Sequence, residues 1–191
     1  MMPERLITDS DRKYLLELAR KSIENCVKGE AQIPLDLNAL SKPLREQGAS
    51  FVTLTHQGYL RGCIGALEPY QSLAEDVREH AIAAATQDYR FPPVQPGEIK
   101  DLKIEISYLT RPKPLKYDKP TELISLLQPN VDGVVIRDGI RRATFLPQVW
   151  EKIPDPEEFL EELCMKMGAQ PDLWRKKKID VLTYQVEEFH E

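Results

Sequence analysis

The chain has 191 residues, of which 41% are hydrophobic and 30% charged, so it is long enough for one domain, or one domain in two lobes, with a sizeable core. The formal net charge is -5 and the sequence pI is about 5.4. This balance argues against a protein that binds the phosphate backbone of nucleic acids, because such proteins carry a basic face. The short basic run at residues 175–178 is typical of a solvated helix face.

The three cysteines lie far apart in the sequence, which predicts no disulfide framework and suits a reducing compartment. The scattered cysteines and histidines also lack the spacing of a metal site, and we expect no cofactor. The N-terminal residues are polar, and no apolar run approaches the roughly 20 residues that a membrane span requires. We therefore expect a soluble, cytoplasmic protein with no signal peptide and no membrane partner.

The first half of the chain predicts two long helices around a hairpin. In chain order we expect a helix at residues 9–28, a short helix within 37–47, a hairpin at 51–65 and a helix from 72 to about 88. Gly29 is a typical residue after a helix end, and Ser72 with Glu75 forms a capping box. Cys26 lies on the apolar stripe of the first helix, which predicts a small buried hydrophobic residue.

The second half predicts more strands. In chain order we expect a strand at residues 102–109, an extended connector at 111–120, a short helix at 121–128, a hairpin at 133–145, a helix at 155–168, a helical turn at 173–177 and a strand at 179–186. Asp138–Gly139 is a favoured two-residue hairpin turn. Because the strands come mostly as hairpins, the pattern predicts an α+β fold with antiparallel sheets and helices, as a single globular unit in two lobes.

Residues 60–65, Leu-Arg-Gly-Cys-Ile-Gly, are the most chemically suggestive stretch. Cys63 is a candidate nucleophile, and Arg61, two residues away on the predicted strand, suits a bound carboxylate or phosphate. Gly62 and Gly65 predict a bulge, a bend or a close backbone approach by a ligand. The alternative is that Cys63 is a buried cysteine beside glycines that only a tight bend requires.

A plain two-residue hairpin places His56 opposite Tyr59 and Cys63 opposite Val52. Four residues then separate Tyr59 from Cys63, which is about 13 Å along a strand, so we do not expect His56 to act as the base for the thiol. The helix that starts at Ser72 follows soon after, and its amides offer a positive dipole end near the cysteine if the loop folds back.

Two further groups of charged residues are candidates for ligand binding. Asp88 and Arg90 stand at the end of the predicted helix, in front of a proline pair, although a helix stop with Phe91 plugging the core explains them slightly better. Arg142 follows Arg141 on the second hairpin, and only one of two adjacent strand residues can face a given cleft. His80 is expected to be half-exposed, and we assign it no role.

Residues 60–65 resemble the signature hexapeptide of the AMMECR-domain family, whose prokaryotic members are called AmmeMemoRadiSam system protein A. The resemblance extends over nearly the whole chain (residues 1–191 as one AMMECR-type domain), through residues 51–54, 88–94, 141–153 and 158–164. Tyr89 departs from the family's usual proline, and His80 stands where we expect asparagine. The resemblance implies an α+β fold in two lobes, the larger using both chain ends.

The resemblance also implies a genomic association with a Memo-like protein and a radical S-adenosylmethionine enzyme, and it makes the hexapeptide the presumed functional site. It implies no settled reaction. One hypothesis is a thiol-dependent enzyme, or enzyme subunit, that acts on a small anionic substrate through Cys63, with Arg61 and Arg90 binding the anion. The other is a non-catalytic binding or adapter module that presents the same face to one of these partner proteins.

Overall fold

The structure is a computed structural model, and it describes residues 7–191. The chain divides into two compact units. The first is formed by residues 7–110 together with 187–191, and the second by Arg111–Val186. Both units combine helices with antiparallel strands, which confirms the predicted α+β class.

The helices are α1 (Asp9–Lys28), α2 (Lys42–Arg45), α3 (Leu73–Thr86), α4 (Leu123–Leu126), α5 (Pro156–Lys166) and α6 (Leu173–Lys176). The strands are β1 (Gln47–His56), β2 (Tyr59–Gly65), β3 (Gln71–Ser72), β4 (Leu102–Leu109), β5 (Lys113–Pro114), β6 (Gly133–Asp138), β7 (Arg141–Phe145), β8 (Asp180–Tyr184) and β9 (Val186–His190). The predicted closing strand is therefore two strands, and β1 begins four residues before the predicted hairpin.

In the first unit, a sheet in the order β2-β1-β4-β9, with β3 paired to the start of β1, carries α1 and α3 on one face. Alternate residues of β1 and β4 point toward these helices and form the core, namely Val52, Leu54, Ile104 and Ile106. Ser72 begins α3 through the predicted capping box with Glu75. By the same alternation, Thr53 on β1, Cys63 on β2 and Glu105 on β4 point to the opposite face of the sheet.

The hairpin of β1 and β2 contains a bulge, which is one of the three alternatives that its glycines left open. His56 pairs with Tyr59 as expected, but the register shifts between Leu54 and Thr55, and Arg61 is the extra residue on β2. Cys63 consequently lies opposite Thr53, so the expected pairing with Val52 is wrong. A one-residue shift decides which side chains share a face, and here it places a hydroxyl beside the thiol.

The second unit has a sheet in the order β5-β8-β6-β7. Its core includes Trp150, Phe159 and Trp174, and the rings of Trp150 and Phe159 stack with centroids 3.6 Å apart. The Trp150 indole donates to the carbonyl of Asp132 at 2.7 Å, which satisfies its buried N–H. Among the described helices of both units, none is long and apolar enough to cross a membrane.

Candidate functional site

Cys63 lies near the middle of β2, half-exposed, on the sheet face that points away from α3. The Thr53 hydroxyl on β1 donates a hydrogen bond to its Sγ at 3.3 Å. A donor to sulfur stabilises the thiolate, which is the nucleophilic form of cysteine. The sulfur is therefore neither sealed in the core nor without a polar partner.

The two glycines of the hexapeptide are required by close approaches within the fold. A Cβ on Gly62 would lie 2.1 Å from the carbonyl oxygen of Ala84 on α3. A Cβ on Gly65 would lie 2.4 Å from the ring of Phe51, its cross-strand partner on β1. Both positions hold β2 tightly against its neighbours, and a ligand is not needed to explain them.

Asp88 and Arg90 bind the outer edge of β2 at Cys63. The Cys63 amide donates to Asp88 Oδ2 at 2.9 Å, and Arg90 Nη2 donates to the Cys63 carbonyl at 3.3 Å. Arg90 also binds Asp88 through Nε and Nη2, at 2.9 and 2.7 Å. We call these two residues the edge clamp. It satisfies both outward peptide groups of Cys63, which would otherwise be an open strand edge.

The edge clamp is electrostatically balanced. The Asp88 side chain is 3% exposed and the Arg90 side chain 45%. Hydrogen bonds from the Arg90 guanidinium, supported by the amides of Cys63 and Arg90, hold the pKa of Asp88 well below its usual range although burial opposes this. Asp88 is therefore ionised at neutral pH, and its charge is compensated by Arg90.

Arg61 uses all of its guanidinium nitrogens inside the first unit. Nε and Nη2 bind the carboxylate of Glu98 at 2.9 and 3.1 Å, and Nη1 donates to the carbonyl of Pro92 at 2.8 Å. The pair lowers the pKa of Glu98, chiefly through these hydrogen bonds. The bulge thus directs Arg61 to the loop after α3, where it is already paired.

The end of α3 that meets Cys63 is the opposite of the expected one. The N-terminus of α3 lies at the start of β1, where Leu73 packs over Gly48. Gly48 is five residues from Thr53, or about 16 Å along a strand. The residues over the hexapeptide are Ala84 and Asp88, at the C-terminal end, so the expected dipole contribution to Cys63 is wrong.

His80 is buried, and the expectation of half-exposure is wrong. Its Nδ1 lies 3.1 Å from Oδ2 of Asp76, one helical turn earlier, and the same oxygen accepts from the Ser50 hydroxyl at 2.6 Å. Asp76 is 0% exposed, and its Oδ1 has no hydrogen-bond partner among the described residues. His80 thus provides one of the two donors to a fully buried carboxylate, on the sheet face opposite Cys63.

Three other sequence predictions concern Phe91, Cys26 and Arg142. Phe91 does not plug the core, since it is half-exposed beside Arg90, and Val94 is the buried residue of that loop. Cys26 is half-exposed, so its predicted burial is wrong. Arg142 is half-buried on β7 of the second unit, opposite Arg137.

Thr53 and Glu105 are the site residues that the sequence interpretation missed. Cys63, Thr53 and Glu105 are cross-strand partners on β2, β1 and β4, so their side chains lie in one row on one face. A bulge at Arg61 would have indicated that Thr53, and not Val52, pairs with Cys63.

Across residues 7–191, no group of three histidine, cysteine or acidic side chains is arranged to hold a metal ion.

Comparison with known proteins places this arrangement in a family. A family model described as AMMECR1 matches residues 16–189. A protein of Methanothermobacter thermautotrophicus is 39% identical over 190 residues, covering 97% of this chain and 96% of that protein. A protein of Methanopyrus kandleri is 37% identical over 198 residues, covering 100% of this chain and 92% of that protein.

A solved structure agrees with the sequence relatives. The crystal structure of an uncharacterized protein from Pyrococcus horikoshii has a TM-score of 0.75 to this chain and is 35% identical in sequence. The similarity covers 97% of this chain and 93% of that chain. The chain belongs to the AMMECR1 family.

Proposed function

We propose that this protein is a thiol-dependent enzyme, or the thiol-bearing subunit of one, in which Cys63 contacts a small substrate through the hexapeptide at residues 60–65. The observation that supports this is the hydrogen bond from the Thr53 hydroxyl to the half-exposed Sγ of Cys63. The backbone N–H and carbonyl of Cys63 are also bound, by Asp88 and Arg90. A nucleophile on a rigid strand keeps its reacting atom in place, which is what orientation contributes to catalysis.

Arg90 is the better candidate for contact with an anionic group of the substrate. Its Nη1 makes no hydrogen bond with the described residues, and its side chain is the more exposed half of the edge clamp. Each guanidinium nitrogen of Arg61 already makes a hydrogen bond to the loop after α3, so in this proposal Arg61 positions that loop instead. Asp88 likewise positions Cys63 and Arg90. Arg142 lies in the second unit and stays a sequence-based prediction for ligand binding.

The experiment is the rate of Cys63 alkylation by neutral iodoacetamide and anionic iodoacetate in the Cys26→Ser, Cys164→Ser background. We expect Cys63 to react faster than the cysteine of an unstructured peptide between pH 6 and 8. Arg90→Gln should lower the iodoacetate rate more than the iodoacetamide rate, whereas Arg45→Gln, an exposed arginine on α2, should change neither. A Cys63 rate at or below that of the peptide would contradict an activated nucleophile.

A second candidate function is a binding or adapter module for a partner protein, such as a Memo-like protein or a radical S-adenosylmethionine enzyme. The observation that favours it is the exposure of large side chains along the same hairpin and clamp. Tyr59 and Leu60 stand exposed at the start of β2, and Tyr89, inside the edge clamp, is 96% exposed. Tyrosine is enriched among the residues that dominate protein interfaces.

Pull-down of the purified radical enzyme distinguishes the two functions. For an adapter, Cys63→Ser leaves binding intact, while Tyr89→Ala and Arg61→Ala weaken it. Ile140→Ala is the matched control, because Ile140 is fully exposed on a turn of the second unit. Binding that none of the changes at Arg61, Tyr89, Arg90 and Arg142 affects would contradict the adapter proposal.

A further inference from the structure

The geometry points to a substrate that carries a protonated amine in addition to the anionic group that Arg90 contacts, with the amine bound by Glu105 while Cys63 meets the reacting atom. This inference rests on the proposed function, and it assigns the second polar contact on the same sheet face. It also gives a role to the carboxylate of Glu105, which the proposed function does not use.

Glu105 stands in the row of Cys63. Thr53 is the cross-strand partner of both residues, so Glu105 is two strands from Cys63 on the same face. Neighbouring strands are about 4.8 Å apart, which places the Cα atoms of Cys63 and Glu105 about 10 Å from each other. A glutamate side chain is long enough to reach over the strand between them. A ligand lying over Thr53 would therefore touch the thiol with one end and the carboxylate with the other.

Glu105 is the uncompensated acid of this face. The other two carboxylates around the hexapeptide are paired, Asp88 with Arg90 and Glu98 with Arg61. Glu105 is half-buried, and it makes no hydrogen bond or ion pair with the residues that the structure describes. The Glu105 oxygens are not among the buried unpartnered atoms, so water solvates them in the free protein and a ligand that supplies a donor can replace that water. The donor that fits is a cation or an N–H group.

Lys103 is the nearest internal cation by sequence, and it does not form this pair. It lies two residues before Glu105 on β4, on the same face, and is exposed. Residues two apart on a strand are about 6–7 Å from each other along the chain. Lys103 therefore borders the face and leaves the carboxylate open over Thr53.

Three methanethiosulfonate reagents of different charge test this inference on Cys63 in the Cys26→Ser, Cys164→Ser protein. They carry a trimethylammonium-ethyl, a sulfonato-ethyl or a methyl group. In each reaction the thiolate attacks the sulfenyl sulfur, the new disulfide forms, methanesulfinate leaves with the electron pair of the broken S–S bond, and the thiol proton goes to the buffer. The reaction is the same for all three, so rate ratios report the charge preference of the site.

Arg90 attracts the anionic reagent and Glu105 the cationic one, so the informative quantity is the ratio of the cationic to the anionic rate. We expect Glu105→Gln to reduce this ratio about fivefold or more at low ionic strength, as Coulomb attraction over 5–10 Å in water predicts. The reduction should shrink as salt is added. Glu30→Gln removes the same charge from an exposed position after α1 and should leave the ratio unchanged. Lys103→Gln should increase it.

A ratio that Glu105→Gln does not change would overturn the inference, provided that thermal melting shows the variant folded. Glu105→Asp, which keeps the charge on a shorter side chain, serves as the second variant and should leave the ratio close to that of the wild type. Failure of the proposed function looks different, because Cys63 would then react with the neutral reagent no faster than a peptide cysteine whatever residue stands at 105.

Discussion

Asp88 is the residue that most directly connects the stability of the first unit to the position of Cys63. Replacing Asp88 with alanine removes the acceptor of the Cys63 amide and the carboxylate partner of Arg90. An unsatisfied buried donor costs about 1–3 kcal/mol, and a lost hydrogen bond to a charged group about 1.5–3 kcal/mol. Arg90 is partly solvated and recovers part of its loss from water, so we expect a total of about 2–4 kcal/mol for Asp88→Ala.

Asp88→Asn separates the two contributions. The amide oxygen can still accept from the Cys63 amide, but the charge that holds Arg90 is gone, so we expect a smaller loss of about 1–2 kcal/mol. Because Arg90 lowers the pKa of Asp88 in the folded protein, this contribution is present above the ordinary aspartate pKa, near 4, and is lost as the pH falls below it. The difference between wild type and Asp88→Asn should therefore shrink between pH 5 and pH 2.

Hydrogen exchange at the Cys63 amide is the assay, with urea unfolding followed by circular dichroism as the global measure. Tryptophan fluorescence does not serve, because both tryptophans, Trp150 and Trp174, belong to the second unit. Asp88→Ala should speed exchange of the Cys63 amide at least tenfold, which corresponds to about 1.4 kcal/mol. Asp101→Asn, an exposed aspartate of the same unit, should not. Unchanged exchange in Asp88→Ala would refute the edge clamp.

Three further predictions follow from single contacts. Gly62→Ala should destabilise the protein by about 2–4 kcal/mol in urea unfolding, since the added methyl meets helix backbone, whereas Gly97→Ala, which faces open space, should stay within about 0.5 kcal/mol of wild type. His80→Ala should cost about 3 kcal/mol by removing a donor from the buried Asp76, and His80→Asn should cost less because it retains an N–H; equal losses would contradict this account of the pair. Thr53→Val should slow alkylation of Cys63 several-fold and Thr53→Ser should restore it, and equal rates would exclude a role for the hydroxyl.

Local signals in the sequence predicted the elements well. The capping box at Ser72 and the glycine after α1 each act within a few residues, and the structure places a helix start and a helix end there. The second hairpin also forms, but Asp138 pairs with Arg141, so its two turn residues are Gly139 and Ile140 and the predicted turn at Asp138–Gly139 is wrong by one residue. The signature glycines indicated a bulge, a bend or a close backbone approach, and the structure has a bulge at Arg61 and close approaches at both glycines. What the sequence did not indicate was the position of the bulge, and that one residue decides whether Val52 or Thr53 faces the thiol.

The errors about His80 and α3 have a common physical cause. Both depend on how α3 lies across the sheet, which is set by long-range packing and has no local signal. The sequence around His80 shows a polar residue among apolar ones. Only the packing of α3 on the sheet shows that His80 is buried with Asp76, which also accepts a hydrogen bond from Ser50. Likewise Arg61 and Glu98 are 37 residues apart, so their pairing could not be predicted from spacing.

The central claim is that Cys63 is the reactive thiol of this chain, and the most direct measurement compares the cysteines within one molecule. Wild-type protein is treated with limiting iodoacetamide at pH 7, and the alkylated fraction of each cysteine is followed by mass spectrometry. Cys26 is the internal control for exposure, since it is half-exposed like Cys63, and Cys164 is the buried control. We predict that Cys63 reacts at least tenfold faster than Cys26. Equal rates, or a faster Cys26, would contradict the claim.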